Sequence, residues 1–142
     1  MGGGILFEAV VFGLAGLGLE VVYTGLTGLR SAPAQRRRYL MGYSSLWYVP
    51  LYALAPSVLD VSHRRLFALP WVARGLIYMV AIWAAEYLSM GLLHLLLGQS
   101  PSEESYRKSR WNVHGFTRLD HGPAYSLAGL ILEWMFRSMQ GL

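Results

Sequence analysis

Three glutamates lie near the middle of apolar stretches of the chain, at Glu20, Glu86 and Glu133. Counted along the helices predicted below, each lies about 14 to 17 Å from the cytoplasmic end of its helix, at about 1.5 Å per residue. A carboxylate at that depth of a bilayer costs about 2.5 to 3.5 kcal/mol, which favours a functional role. The matched depth predicts that the three glutamates form one cluster.

Such a cluster can bind a cation, a proton or an amine, or it can supply a general acid or base. Intramembrane glutamates can also hold helices together through hydrogen bonds to Tyr and Ser. The structural interpretation is strongest for Glu133, because Arg137 follows it by one helical turn and can neutralise it. We therefore rank Glu20 and Glu86 above Glu133 as ligand-binding or ion-binding residues.

Aromatic side chains are expected at the same depth. Tyr48 and Tyr52 offer phenol hydroxyls, and Tyr48 is the expected hydrogen-bond partner of the glutamates. Trp83 and Tyr87 flank Glu86 and are suited to lining a cavity or shielding a cationic ligand. Together with the glutamates, these four residues form the candidate binding site.

Histidines lie near the polar stretch that precedes the last apolar segment. We expect His94, Asp120 and His121 to line a cytoplasmic mouth of the site. No two histidines have the i, i+4 spacing of a zinc-binding helix, so no metal is predicted. The chain has no cysteine, which excludes thiolate chemistry. It also has no phosphate-binding glycine loop and no G-x-S-x-G motif, which disfavours an ATPase or a serine hydrolase of that type. No cofactor is predicted.

The elements that position these residues are predicted to be membrane helices. The 142 residues are 54% hydrophobic and 14% charged, against roughly 25% charged residues in soluble domains, and the mean hydropathy is +0.36. The net charge is +4. The basic residues stand between or beside apolar runs, which is typical of membrane topology and disfavours nucleic acid as a partner.

A bilayer core about 30 Å thick requires about 20 apolar residues in a helix. Four segments meet that length, at residues 4–29, 39–59, 75–97 and 122–140. Pro50 and Pro56 predict a kink in the second segment. The spacing of Ser100 and Glu103 is that of a capping box, and it predicts a short surface helix over residues 101–109.

The predicted fold class is therefore all-α: a polytopic bundle of four transmembrane helices in one domain spanning residues 1–142, with a short interfacial helix before the last span. Eight of the twelve basic residues fall in the first and third connections. The positive-inside rule then places both termini outside the cell membrane. In the first helix the small and polar stripe of Gly13, Gly16 and Thr24 is expected to face protein.

Three blocks of the sequence resemble the transmembrane protein 229 family, whose bacterial relatives are labelled putative ABC-transporter permeases. They are Gly16-Leu-Gly-Leu-Glu-Val-Val-Tyr-Thr24, then Gly42-Tyr-Ser-Ser-Leu-Trp47 with Leu51-Tyr52, and Arg74-Gly-Leu-Ile-Tyr78 with Glu86-Tyr87 and Gly91. A fourth block departs, because Arg110-Trp-Asn-Val113 stands where the family has Pro-Trp-Asp-Tyr-Ser. The resemblance implies a multi-pass membrane protein without an established reaction.

Three functions are compatible with these features. The first is a transport or ligand-binding protein for a small cation or a lipid ligand, completed by a homo-oligomer or a partner membrane subunit because four short helices enclose little volume. The second is a membrane-embedded enzyme that acts on a lipid or isoprenoid with Glu as acid or base. The third is a structural or accessory subunit of a membrane complex whose loop over residues 98–121 docks a soluble partner.

Overall fold

The computed structural model describes residues 4–27 and 40–142, and in that part of the chain the fold is mostly helical and all-α. A two-residue antiparallel hairpin pairs β1 (Asn112–Val113) with β2 (Thr117–Arg118), and a 3-10 turn follows at Leu119–His121. The helices are α1 (Ile5–Thr27), α2 (Tyr48–Ala53), α3 (Ala55–Leu66), α4 (Trp71–Leu97), α5 (Glu103–Tyr106) and α6 (Gly122–Gln140).

Two of the described helices, α1 and α4, are long and apolar enough to cross a membrane, with mean hydropathies of 2.1 and 1.6. Only 22% of each apolar window is buried inside the molecule. Large apolar side chains such as Leu14 on α1 and Leu88 on α4 are exposed. The core helix of a soluble protein would instead turn most of its apolar surface inward.

Three of the four predicted segments have helices close to their expected bounds. The first helix covers Ile5–Thr27, and the expected residues 28 and 29 lie outside the described part. The third predicted segment forms α4, which begins at Trp71 instead of residue 75, directly after Pro70. It ends at the predicted Leu97, and the next residue, Gly98, has a φ of +81°. Glycine is favoured in that left-handed conformation because it has no Cβ. The fourth predicted segment forms α6, which has the predicted bounds, Gly122–Gln140.

The prediction of one helix over residues 39–59 is wrong. Residues 41–45 have no regular structure, and the helical region runs from Tyr48 to Leu66 with a break at Leu54. Pro56 has no N–H to donate to the carbonyl of Tyr52, so α2 cannot continue through it. A proline is well tolerated in the first turn of a helix, where Pro56 lies in α3. Residue 39 is outside the described part of the chain.

Close packing of α1 against α2 depends on small residues. Gly13, Gly16 and Thr24 are buried, which confirms that this stripe of α1 faces protein. A Cβ at Gly16 would lie 2.0 Å from the ring carbon Cγ of Tyr52, so only glycine allows the two helices to approach this closely. The position of Tyr52 is thus set by a residue of another helix.

The main apolar core joins four helices. It consists of Phe12 from α1, Leu59 from α3, Tyr78 from α4, and Leu132 and Phe136 from α6. The end of α6 also reaches the start of α1.

The contact between those two helices is a hydrogen bond from Gln140 Nε2 to Glu8 Oε1 at 2.9 Å. Both ends of the described chain therefore lie at one end of the molecule, which we call the terminal end. The opposite end, formed by residues 98–121 with the last turns of α1, is called the loop end.

We expect Gly16→Ala to lower the free energy of unfolding by about 1 to 3 kcal/mol, because the added methyl group would displace the ring of Tyr52. Gly18→Ala is the matched control on the same helix, since nothing lies within 4 Å of a Cβ at that position. Thermal unfolding of both variants in mild detergent tests this. Equal melting temperatures for the two variants would contradict the close packing of α1 on α2.

Candidate functional site

Glu86, on α4, is 3% exposed and is the centre of a hydrogen-bonded cluster. Its Oε1 accepts hydrogen bonds from the hydroxyls of Tyr106 at 2.8 Å and Tyr48 at 3.4 Å. Its Oε2 accepts from Thr117 Oγ1 at 2.6 Å and from the hydroxyl of Tyr125. The four donors come from α2, α5, β2 and α6. One carboxylate therefore joins four separate elements to α4.

The number of donors fits an ionised carboxylate. A carboxylate has about four lone-pair positions, which equals the number of hydroxyl donors around Glu86. Among the described residues, no Lys or Arg is bonded to Glu86. Arg118 lies over the ring of Tyr106 at 5.9 Å but pairs with Asp120, with 3.0 Å between Nε and Oδ1. In the described part of the chain, hydroxyl groups and not a cationic side chain therefore hold the buried Glu86 carboxyl group.

Glu86 lines a cavity of about 440 Å³ between α2, α3, α4 and α6. This volume lies in the range of small-molecule sites. Apolar side chains form most of the lining, and none of the described lining residues is a Lys or Arg. Leu54, Val58 and Ile77 belong to the lining and are themselves exposed. The cavity therefore opens sideways, at the apolar surface of α3 and α4.

Glu20 and Tyr52 line the same cavity. Glu20 Oε2 accepts a hydrogen bond from Ser44 Oγ at 2.7 Å. Ser44 belongs to the non-helical segment before α2, which α1 fixes in place. The backbone N–H of Tyr43 donates to Thr24 Oγ1 at 2.7 Å, and a Cβ at Gly42 would lie 1.8 Å from the backbone oxygen of Val21. Backbone contacts therefore hold this segment against α1 and bring Ser44 to Glu20.

Residues 98–121 fold back onto α4. A short helix does form within the predicted range 101–109, but it covers only Glu103–Tyr106, and the burial of both of these residues contradicts the expected surface position. Trp83 Nε1 on α4 donates to the backbone oxygen of Arg118 at 3.1 Å. Hydrogen bonds to buried groups of α4, including those from Tyr106 and Thr117 to Glu86, hold the loop against the helix.

Glu103 fixes the beginning of this loop. Its carboxylate accepts hydrogen bonds from the backbone N–H of Ser100 at 3.0 Å, from His94 Nδ1 at 2.8 Å, and from Arg107. The bond from Ser100 is the one that the capping-box spacing predicts. These donors, with the Ser100 N–H foremost, lower the pKa of Glu103 to about 2.

Glu133 does not join Glu86. It accepts hydrogen bonds from the Tyr78 hydroxyl at 2.6 Å and from Arg74 Nε at 2.9 Å, and Arg137 lies 3.5 Å away. Tyr78 precedes Glu86 by eight residues on α4, which is about 12 Å along the axis. The expectation of one cluster of three glutamates is therefore corrected to a pair at the cavity and a separate, ion-paired Glu133.

Glu133 is separated from Glu86 because of the position along α4 at which α6 begins. A Cβ at Gly122 would lie 2.9 Å from both Met79 Sδ and the Trp83 ring, so α6 starts beside the middle of α4 and not beside Leu97. Residues 98–121 occupy the remaining length. The depth of Glu133 was counted from Gly122 as if α6 began level with the end of α4. Because α6 begins beside the middle of α4, that depth was wrong.

The other candidate residues are distributed around the loop. The hydroxyl of Tyr87 lies 2.8 Å from His114 Nδ1, outside the cavity lining. The side chain of Trp83 packs against Gly122. His94 is bonded to Glu103, and Asp120 to Arg118, so neither is joined to the Glu86 cluster by a direct hydrogen bond.

His121 is buried beside the Glu86 cluster. Its ring lies 5.2 Å from that of Tyr23, 5.3 Å from that of Tyr106 and 5.7 Å from that of Tyr125. The expected mouth of His94, Asp120 and His121 is therefore not a single surface. Within residues 4–27 and 40–142, no group of three or more His, Asp or Glu side chains is placed to hold a metal ion.

Sequence reasoning missed three of the four partners of Glu86, namely Tyr106, Thr117 and Tyr125. Two of them lie in a segment whose polarity predicted an exposed loop, and the third lies in the first turn of α6. Hydroxyl-bearing residues in that segment were the available signal. Tyr48, which depth alone indicated, does contact Glu86.

The chain was compared with protein-family models, with curated proteins and with solved structures. No family model, no curated protein and no solved structure matches it.

We expect acid to weaken the loop end through Glu103. A carboxyl whose pKa falls from 4.5 unfolded to about 2 folded stabilises the protein fully above pH 4.5, and this stabilisation is lost as the pH falls towards 2. The melting temperature of the wild type should therefore exceed that of Glu103→Gln at neutral pH, and the difference should shrink across that window. A difference that stays constant with pH would contradict the assigned bonds.

Proposed function

We propose that this chain is a multi-pass membrane protein of the transport or ligand-binding type that takes a lipophilic cation from the bilayer into the Glu86 cavity. The ligand class is an apolar body that carries an amine or another cationic group. The observation that carries the proposal is the buried Glu86 carboxyl group at an apolar cavity, which hydroxyl groups hold with no ion pair to any Lys or Arg among the described residues.

The membrane arrangement belongs to the same proposal. Helices α1 and α4 have the length and composition to span. The α2–α3 pair, which is 28 Å long at about 1.5 Å per residue, and α6 would complete four spans. The hydrogen bond between Gln140 and Glu8 supports an even number of spans, because it joins the two ends of the described chain. The distribution of basic residues then places both ends outside.

Charge and shape both favour a cation over an anion or a neutral lipid. A negative charge in an apolar, low-dielectric setting attracts a cation more strongly than it would in water. The tyrosines Tyr48, Tyr52 and Tyr125 line the cavity and offer ring faces that can also attract a cation. The exposed apolar side chains at the opening favour access from lipid. A homo-oligomer or a partner subunit would complete any transport path.

The resemblance to the transmembrane protein 229 family supports a multi-pass membrane protein and adds no reaction. One observation favours a second candidate, an acid-base enzyme acting on a lipid or isoprenoid. The Tyr125 hydroxyl donates to Glu86 and lies 3.4 Å from His121 Nδ1, which makes a carboxylate, phenol and imidazole chain suited to moving a proton.

Binding of tetraphenylphosphonium to the protein in nanodiscs tests the proposal, with tetraphenylborate as a probe of the same shape and opposite charge. The wild type should bind the phosphonium above the level of empty nanodiscs. It should bind no more borate than empty nanodiscs do. Glu86→Gln should weaken phosphonium binding about tenfold or more, which corresponds to about 1.4 kcal/mol. Glu104→Gln is the matched control, because Glu104 is exposed in the loop.

Two results would overturn the cation proposal. One is equal binding of the two probes by the wild type, which would leave only apolar partitioning. The other is unchanged phosphonium affinity in a Glu86→Gln variant that remains folded, because the carboxylate would then contribute nothing. Conversion of an added lipid that depends on both Glu86 and Tyr125, without phosphonium binding, would favour the enzyme.

A further inference from the structure

A second pocket, of about 370 Å³, lies at the terminal end, between the start of α4 and the end of α6. Arg74 lines it from α4, and Trp134 and Arg137 line it from α6. This pocket contains none of the residues of the Glu86 cavity. The two pockets are therefore separate sites.

The charged side chains that line this pocket in the described part of the chain are Arg74, Arg137 and Glu133. Glu133 is 3% exposed, and its oxygens already accept from Tyr78, Arg74 and Arg137. The acid is thus neutralised and faces protein. Of the two arginines, Arg137 is the more exposed and is the one accessible to an external partner.

Arg137 has donors to offer that partner. A guanidinium group has five N–H donors, and the bond from Nη1 to Glu133 Oε1, at 3.5 Å, uses one of them. The side chain of Arg137 is 41% exposed. Its Cζ lies 4.8 Å from the centre of the Phe67 ring, a cation–π contact that helps to position the planar group. A planar group of this kind, held with free donors, is suited to binding a phosphate through two parallel hydrogen bonds.

Indole rings mark the level of this pocket in the proposed membrane. Trp134 lines it and is 68% exposed, and Trp71, the first residue of α4, is 66% exposed. An exposed tryptophan at the end of a membrane helix, as Trp71 is, lies at the level of lipid headgroups, and Trp134 lies about 9 Å deeper than the end of α6. Arg64 and Arg65, at the exposed end of α3, add positive charge at the same end of the molecule.

We propose that this pocket is a binding site for the phosphate group of an anionic phospholipid, with Arg137 as the main donor and Trp134 against the glycerol and upper acyl region. Arg74 keeps Glu133 neutralised so that the acid does not repel the phosphate. The site is independent of the cation cavity, and it holds whether the protein transports, binds or transforms a ligand there.

The test is a titration of the detergent-solubilised full chain with a short-chain phosphatidylglycerol, followed by melting temperature and by native mass spectrometry. The wild type should retain the lipid and melt at a higher temperature with it. Arg137→Gln should weaken binding about tenfold, and Arg137→Lys several-fold, because lysine keeps the charge and loses the planar donor group. Arg110→Gln is the matched control, since Arg110 stacks on Trp111 at the loop end.

Two further probes separate the possible sources of the phosphate. Phosphatidylcholine of the same chain length should bind more weakly, and inorganic phosphate at the same concentration should give no shift in melting temperature. Inorganic phosphate acting as well as the lipid would overturn the lipid assignment. Arg137→Gln or Arg137→Lys, folded and with wild-type affinity for phosphatidylglycerol, would overturn the site itself.

Discussion

The structure depends on one buried carboxylate and on the cost of removing it from water. An ionised group in an apolar interior is stable only when its lone pairs are filled by donors. Glu86 obtains one donor, Tyr48, from α2 and three donors from residues 106–125 in α5, β2 and α6. This requirement favours folding of the polar loop onto α4 over its extension into solvent.

The same requirement links the loop end to the cavity. Tyr106 and Thr117 come from the folded loop, and Tyr125 lies just beyond it at the start of α6. Glu103 stabilises the loop through donors from Ser100, His94 and Arg107. A ligand that changes the position of Glu86 would therefore also displace the loop residues that donate to it. In turn, a change in the loop would alter the donors that hold the carboxylate.

The sequence alone was sufficient to predict the elements whose bounds depend on local composition. The run of apolar residues predicts α1, and the bounds of α6 follow from its flanking glycine and polar residues. Prediction from the sequence failed where contacts between residues distant in the chain determine the structure. The helix expected over residues 39–59 is interrupted because of Pro56, and the residues before Tyr48 follow α1 through backbone contacts with Thr24 that no local pattern encodes. The level of Glu133 depends on where α6 begins beside α4, which only the folded loop determines.

Cation binding at the cavity requires Glu86 to be ionised when no ligand is bound. Infrared difference spectroscopy of the wild type against Glu86→Gln at neutral pH, in nanodiscs, measures this. We predict that the difference spectrum contains carboxylate stretching bands and no carbonyl band of a protonated carboxylic acid. A protonated carboxyl band that is present in the wild type and absent from Glu86→Gln would contradict it, because a neutral Glu86 would provide no charge for a cation.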